Sequence, residues 1–429
     1  MKKTLLLSIV ASTMIFAGGD IAPVEPAVVA PVAPVAESGW KFSGQGVVYY
    51  QTQDERPFLG IQGNLFEQDM SFANAGIQLR ATNDDLIGGI GLGVEVTGIG
   101  TLGLEEDVVV SPMQMAGDSL NGGYVSQLYL TYGMGNTSLK VGRQELPKAL
   151  SPFAFSEDWN VFKNTFDAAL VVNTDIPNTT LVGAWVRDAN QNGYAVWNIF
   201  TGGFVPAGNL GEFDKLNENR GVWMLTAQNK SIENLTLTGS WYYADNFLTG
   251  AGDDLNILWA DAQYDAGFAN IGLQGGTVRH DAIDNTNAFG AKASSKFGIV
   301  NASLAYSHIN DSTFGIFQVG GSGSVLYTDM LMEEMMPYGA TVWMGMNYRN
   351  DNDKFVLRAD ADVLGGNLGG AFGYADYGSS LGNNTLKEFD LSYSTKINDD
   401  LSLVGTYAYV DADNDDSLNA IRLVARYNF

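Results

Sequence analysis

The last ten residues, Ala420-Ile421-Arg422-Leu423-Val424-Ala425-Arg426-Tyr427-Asn428-Phe429, alternate at period two. On an extended chain Ile421, Leu423, Ala425, Tyr427 and Phe429 share one face, and Arg422, Val424, Arg426 and Asn428 share the other. One face suits hydrocarbon and the other suits water. Ten residues of tilted strand also match the thickness of a bilayer core. The same split recurs upstream. Phe389, Leu391, Tyr393, Thr395 and Ile397 oppose Asp390, Ser392, Ser394 and Lys396, while Phe355, Leu357, Ala359, Ala361 and Val363 oppose Val356, Arg358, Asp360 and Asp362. Such charges are intolerable in lipid and comfortable in an aqueous lumen.

Working outward, alternating segments of about 9 to 12 residues run from Trp40 to the C-terminus. They predict an all-β transmembrane antiparallel barrel of eighteen strands, with sixteen as the alternative. The segments include 40–51, 72–82, 136–144, 165–173, 298–309, 339–350, 353–363, 386–397, 400–410 and 418–429. Short polar links such as Asn83-Asp84-Asp85, Asp351-Asn352 and Asn398-Asp399-Asp400 alternate with long ones such as 99–123, 188–219, 310–338 and 364–385. Short periplasmic turns and long extracellular loops are the expected pattern of an outer-membrane barrel. A soluble two-sheet sandwich also alternates. Small residues beside charge on the hydrophilic face, as in Gly91, Gly93 and Glu95, and an aromatic at the final position speak against it.

The N-terminus gives an address. Met1-Lys2-Lys3, an apolar stretch from Leu5 to Phe16 and the small residues Ala17-Gly18-Gly19 predict a cleaved signal peptide over 1–19. Residues 20–39, with Pro23, Pro26, Pro31 and Pro34 among Ala and Val, predict an extended periplasmic tether. The barrel domain then covers 40–429, and the outer membrane is the expected location.

Composition narrows the function. The 429 residues hold 48 acids against 23 bases, a formal charge of −25, so nucleic acid is not an expected partner. No cysteine is present, which removes thiolate metal sites and cysteine chemistry. Nine long loops as read from the sequence hold 29 of the acids and only 4 of the bases, leaving 19 of each elsewhere. The imbalance therefore belongs to one side of the barrel, where it concentrates cations. Asp411 to Ser417 begins like a calcium loop, but Asp416 stands where glycine is needed and Arg422 where a ligating glutamate is needed. No metal or cofactor site is predicted. His280 and His308 lack a placed partner for a relay, so no catalytic residue is assigned and an enzyme is not expected.

By parity the lumen-facing bases are Lys41, Arg80, Arg358, Lys396, Arg422 and Arg426, opposed by Glu95, Asp167, Asp360, Asp362 and Asp390. Arg143 falls on the outward parity. Met330, Met332, Met335 and Met336 mark the seventh long loop as a candidate lid or a flexibly packed loop.

Leu139-Lys140-Val141-Gly142-Arg143-Gln144, the Pro- and Phe-containing segment Glu145 to Asn164, and then Phe166-Asp167-Ala168 resemble the OprD-like, or Opr-type, outer-membrane porins. The resemblance implies eighteen strands and a third loop, about 145–164, folded into the lumen. It adds Arg143, Glu145, Glu157 and Asp158 to the candidates at the constriction, and it implies that wall arginines guide substrate carboxylates. The ending Arg426-Tyr427-Asn428-Phe429 is similar to the terminal signal read by the barrel assembly machinery, with Tyr427 and Phe429 as its aromatics. The expected function is passive diffusion of small hydrophilic solutes and ions with weak cation selectivity. The alternative is a surface structural or adhesion barrel whose loops do the work. Expected partners are outer-membrane lipid and lipopolysaccharide, the assembly machinery and the solutes, with the chain a homotrimer or a monomer.

Overall fold

Period-two alternation gives each segment an apolar face but leaves its backbone N–H and C=O groups to be satisfied by neighbours. In hydrocarbon only closure of the sheet satisfies them all. The computed structural model describes residues 39–56, 61–117, 119–190, 192, 195–198, 203–206, 209–247, 253–310, 316, 318–321, 323–331, 351–379, 382–413 and 417–429. Among these, eighteen antiparallel strands form the wall. They are β1 (Lys41–Gln53), β2 (Ser71–Ile87), β3 (Ile90–Gly100), β4 (Asn121–Met134), β5 (Thr137–Gln144) and β6 (Phe166–Asn173). Next come β7 (Thr179–Ala189), β8 (Val222–Ile232), β9 (Leu235–Ala244), β10 (Leu255–Asp265), β11 (Asn270–His280) and β12 (Ile283–Phe297). The wall ends with β13 (Val300–Ile309), β14 (Asn352–Val363), β15 (Gly366–Ser379), β16 (Gly382–Lys396), β17 (Leu401–Ala412) and β18 (Leu418–Asn428).

The sheet closes on itself. β18 pairs with β1 from Gln45↔Asn428 to Gln53↔Ala420. Beyond the last pair, Phe429 N donates to Gly44 O at 3.0 Å and Gly44 N donates back to Phe429 O at 2.8 Å. Leu423 and Tyr427 are exposed while Arg422 is buried, so the face read from the last ten residues is the face that points outward. A six-residue strand, Asp214–Asn219, adds to β7 at the loop end of the barrel through Asp214↔Ala189 and Lys215↔Asp188.

Two sequence expectations are corrected, although the strand count stands. The expected strand 339–350 lies outside the described residues. β13 hydrogen-bonds directly to β14, from Val300↔Ala361 to Ile309↔Asn352, so the wall is continuous there without it. The missing member is β15, which falls inside the expected loop 364–385. Leu364 (φ 56°) and Gly365 (φ 78°) form the tight turn that joins β14 to β15, with the two positive φ values such a hairpin demands. β14 therefore runs opposite to the expected direction. Asp351 sits at the loop end, and Leu364 at the turn end. The exchange trades one acid, Asp376, for another, Asp351, at the loop end. Strict alternation of link lengths also fails, because Asp281-Ala282 alone joins β11 to β12 at the loop end. Residues 1–38, which hold the expected signal peptide and nearly all of the tether, lie outside the described residues.

Candidate functional site

The site is the lumen, and the loop between β5 and β6 occupies its middle. Its first half packs on one wall: Leu146, Leu150, Phe153 and Ala154 are buried with Phe166, Val182, Met224, Tyr242, Trp259 and Val278. Phe153 meets Tyr242 and Trp259 edge-on at centroid distances of 5.6 and 5.4 Å. Its second half packs on the other wall, with Trp159, Val161 and Phe162 buried among Val47, Tyr49, Phe72, Ile99 and residues of β16 to β18. Gly76 makes room for this contact, since a Cβ there would lie 2.4 Å from the Phe162 ring. The loop thus crosses the barrel. Aromatic anchors on both sides drive the crossing, because each buries a large apolar area that water would otherwise cover.

Wall charges fix the crossing segment. Arg422 Nη1 donates to Trp159 O at 2.9 Å, and Arg426 Nη2 donates to Val161 O at 3.3 Å. One strand beyond β1, Arg80 Nε donates to Glu95 Oε2 at 2.9 Å, and its Nη2 lies 3.3 Å from Glu145. Glu95 is buried and also accepts from Ser126 Oγ at 2.7 Å. Lys163 Nζ lies 3.4 Å from Asp158 and 3.5 Å from Glu145, and the Asp158 charge holds its ammonium protonated well above the usual range.

A second inward segment comes from the loop between β13 and β14. Residues 316, 318–321 and 323–331 lie along the inner wall from β10 to β16. Tyr327 Oη donates to Asp261, Arg358 donates to the carbonyls of Tyr327 and Asp329, and Leu331 N donates to Asp390 Oδ2 at 3.3 Å. Met330 is fully buried and packs on Gly373, while Met332, Met335 and Met336 lie outside the described residues. Lys148 Nζ lies 3.6 Å from Asp329, which ties the two inward segments together.

The remaining candidates divide. Asp360 Oδ2 accepts from Asn301 at 2.9 Å and Asn367 at 3.1 Å, and Asn367 also donates to Asp362 at 2.9 Å. Lys41 pairs with Asp84 at 2.9 Å at the turn end. Lys396, Arg422, Arg426, Asp158 and Asn160 line one cavity beneath the crossing loop, with Asp399 and Asp400 of the β16–β17 turn at its mouth. Tyr427 and Phe429 are exposed on the outer face and stack at 6.1 Å.

Asp167 and Arg143 are the exception. Asp167 shares the alternation of exposed Val171, and Arg143 that of exposed Leu139 and Val141. The two form a bidentate pair at 2.9 and 3.2 Å on the outward face at the rim, with Phe213 stacked 3.3 Å over the guanidinium. Asp167 therefore does not line the lumen, and Arg143 keeps its outward parity. The error for Asp167 lay in assuming the inward face without a neighbour to check it.

Sequence reasoning also missed lumen residues. Lys354 and Glu388 are buried on the parity of Arg358 and Asp390, so alternation alone marks them. Lys140, 3.9 Å over the Tyr129 ring, stands opposite to Leu139 and Val141 on the same strand. The placement of 316–331 carried no such signal, because irregular backbone has no period.

No protein-family model matches the sequence, and neither does any curated protein. Solved structures do. Pseudomonas aeruginosa OccK9 (OpdG) superposes with a TM-score of 0.70 at 16% identity, covering 91% of this chain and 98% of that one. P. aeruginosa OpdK with vanillate gives 0.68 at 14%, and OccK2 (OpdF) in complex with glucuronate gives 0.66 at 14%, both over 91% of this chain and 98% of theirs. The fold is that of an OprD-like outer-membrane porin, a closed antiparallel barrel of eighteen strands.

Proposed function

We propose that this chain is an outer-membrane porin, a passive diffusion channel for small hydrophilic solutes and ions with weak overall cation selectivity. The observation that carries the reading is the cavity between the crossing loop and β16–β18, lined by Asp158, Lys396, Arg422 and Arg426 together with Asp399 and Asp400 of the β16–β17 turn. A structural barrel needs no charge-lined cavity. A lumen that holds both signs of charge beneath a constriction admits hydrated ions and sorts them by local field. The acidic loop end favours cations at the mouth. Lys396, Arg422 and Arg426 give a carboxylate a place to pause inside, consistent with the vanillate and glucuronate present in two of the similar structures.

Export by the 1–19 signal peptide, a periplasmic tether at 20–39 and recognition of Tyr427 and Phe429 by the assembly machinery complete the proposal. The contacts of the two histidines are structural: His280 Nε2 lies 2.9 Å from the Phe247 carbonyl and its Nδ1 accepts from Ala282 N at 3.1 Å, while His308 lies on the outward face against Asp353 at 3.1 Å. The test is reversal potential in a planar bilayer under a KCl gradient. A cation-preferring potential is expected. Absence of any conductance sinks the channel and leaves the surface-barrel alternative, whereas chloride preference sinks only the selectivity.

A further inference from the structure

The outward face of β8 to β11 is built in rows that the strand register fixes. At the loop end Trp223, Tyr243, Asn256 and Arg279 stand side by side. Two residues nearer the turns come Leu225, Trp241, Leu258 and Thr277, and two further on come Ala227, Gly239, Ala260 and Gly275. That third row carries nothing larger than a methyl group. Below it Leu237 and Leu273 rise again on either side of Ala262. The result is a groove of about 580 Å³ in the outer wall, with the third row as its floor and Leu237 and Leu273 in its lining. Leu225, Leu237, Trp241, Leu258 and Leu273 are exposed, so the rows face lipid. Four residues of strand separate the groove from Arg279, about 13 Å along the strand and about 10 Å in depth at the tilt of a barrel wall. The groove therefore lies in the outer half of an apolar band about 25 Å tall.

The first row supplies a charge. Arg279 is exposed and makes no hydrogen bond or ion pair among the described residues. Nearby acids are engaged: Asp254 accepts from Asn246 N at 3.0 Å and from Tyr243 Oη at 2.9 Å, and Asp281 Oδ2 accepts from Asp254 N at 3.0 Å.

We propose that this patch is a binding site for a lipopolysaccharide molecule of the outer leaflet, with a phosphate on Arg279, sugar against Trp223 and Tyr243, and an acyl chain passing over the Leu225 to Leu258 ridge into the groove. Charge and shape select this occupant. A guanidinium without an ion pair at headgroup level takes a phosphate through two parallel hydrogen bonds, and Trp and Tyr belong at that level. A groove in hydrocarbon gains dispersion contacts from a chain flexible enough to enter it. A second barrel presents a convex wall and leaves it unfilled. The site rests on the orientation of the porin reading, long loops outside, and not on conductance.

The experiment titrates the full chain in detergent micelles with purified lipopolysaccharide, with its dephosphorylated form and with phosphatidylethanolamine, and counts bound lipid by native mass spectrometry. Wild type is expected to prefer lipopolysaccharide to both. Arg279→Ala should weaken that binding roughly tenfold, the loss of one charge-assisted bond, and leave the dephosphorylated form bound as before. Gly239→Leu fills the groove and should weaken both forms. A Cβ on Gly239 meets open space, so this variant is expected to keep the heat-modified gel migration of a folded barrel. Wild-type affinity in Gly239→Leu overturns the groove as the seat of the chain. Wild-type affinity in Arg279→Ala, or equal binding of the two forms by the wild type, overturns the phosphate contact. A wild-type dimer that Gly239→Leu dissociates, with no preference among the lipids, overturns the site and gives the groove to a second copy. Micelle binding depends on neither orientation nor current, so failure of the porin reading is seen separately, in bilayer conductance and in surface labelling of the loop end.

Discussion

At the residue scale the wall arginines act on the protein's own loop. Parity puts Arg422 on the lumen face, and it faces inward, yet one of its N–H groups is spent on the Trp159 carbonyl. Arg422→Ala leaves that buried carbonyl unpaired and removes a charge-assisted bond, a loss of about 2–3 kcal/mol in anchoring the crossing loop. Larger and noisier single-channel currents are expected from Arg422→Ala. Unchanged current amplitude and noise would show that the aromatic anchors alone hold the loop. Gly321→Ala should loosen the contact between the two inward segments, because its methyl must displace the Glu157 carboxylate that accepts from Gln318 and Gly323. Faster hydrogen exchange at the Gly323 amide is expected, and unchanged exchange would show that the close approach is dispensable. Glu95 is a different case. It holds Arg80, Ser126 and Gln78 at once, so Glu95→Ala should lower barrel stability in urea by about 2–3 kcal/mol.

At the scale of the element, what the sequence reveals depends on amplitude. β18, β16 and β14 alternate between large apolar and charged residues, and each lies where the period places it. β15 does not announce itself, because Gly366, Gly369, Gly370, Gly373 and Gly378 take five of its fourteen positions. The folded barrel explains the glycines. A Cβ on Gly366 would strike the Ser394 carbonyl, and one on Gly373 would crowd Met330. Packing from the neighbouring strand and from the inward segment thus erased the pattern that would have identified the strand. The same limit applies to the site. Side-chain parity found Arg80, Glu95, Arg358, Asp390, Arg422 and Arg426 on the inner face. It says nothing about an irregular segment such as 316–331, whose position is set by scattered contacts with Asp261, Arg358 and Asp390. Asp167 was misassigned because its charge was taken to point inward, although the count from exposed Val171 along the same strand puts it outward.

The reversed direction of β14 can be tested cleanly because the chain has no cysteine. With the loop end outside the cell, Asp351→Cys should react with a membrane-impermeant maleimide on intact cells. Leu364→Cys, whose parent residue is 93% exposed, should react only after the outer membrane is opened. The opposite result would restore the direction read from periodicity.

At the scale of the whole molecule the deciding quantity is where the −25 resides. Part of the lumen charge is paired: Arg80 with Glu95 and Glu145, and Lys163 with Asp158 and Glu145. Paired charges cancel over a few ångströms, so they shape local contacts more than net selectivity. The unbalanced acids lie at the loop end, in wide water, and act on ions through screened distances. Debye screening there runs from about 10 Å at 0.1 M salt to about 3 Å at 1 M. Cation preference generated by the mouth must therefore shrink as salt rises, while preference generated inside the narrow lumen persists. Reversal potentials measured at a fixed concentration ratio, first around 0.1 M and then around 1 M KCl, separate the two sources. A potassium preference that collapses toward unity at high salt is expected. A preference that does not change with salt would place the selectivity in the passage beside Asp158, Arg422 and Arg426, and would reassign the acidic loops to solvation alone.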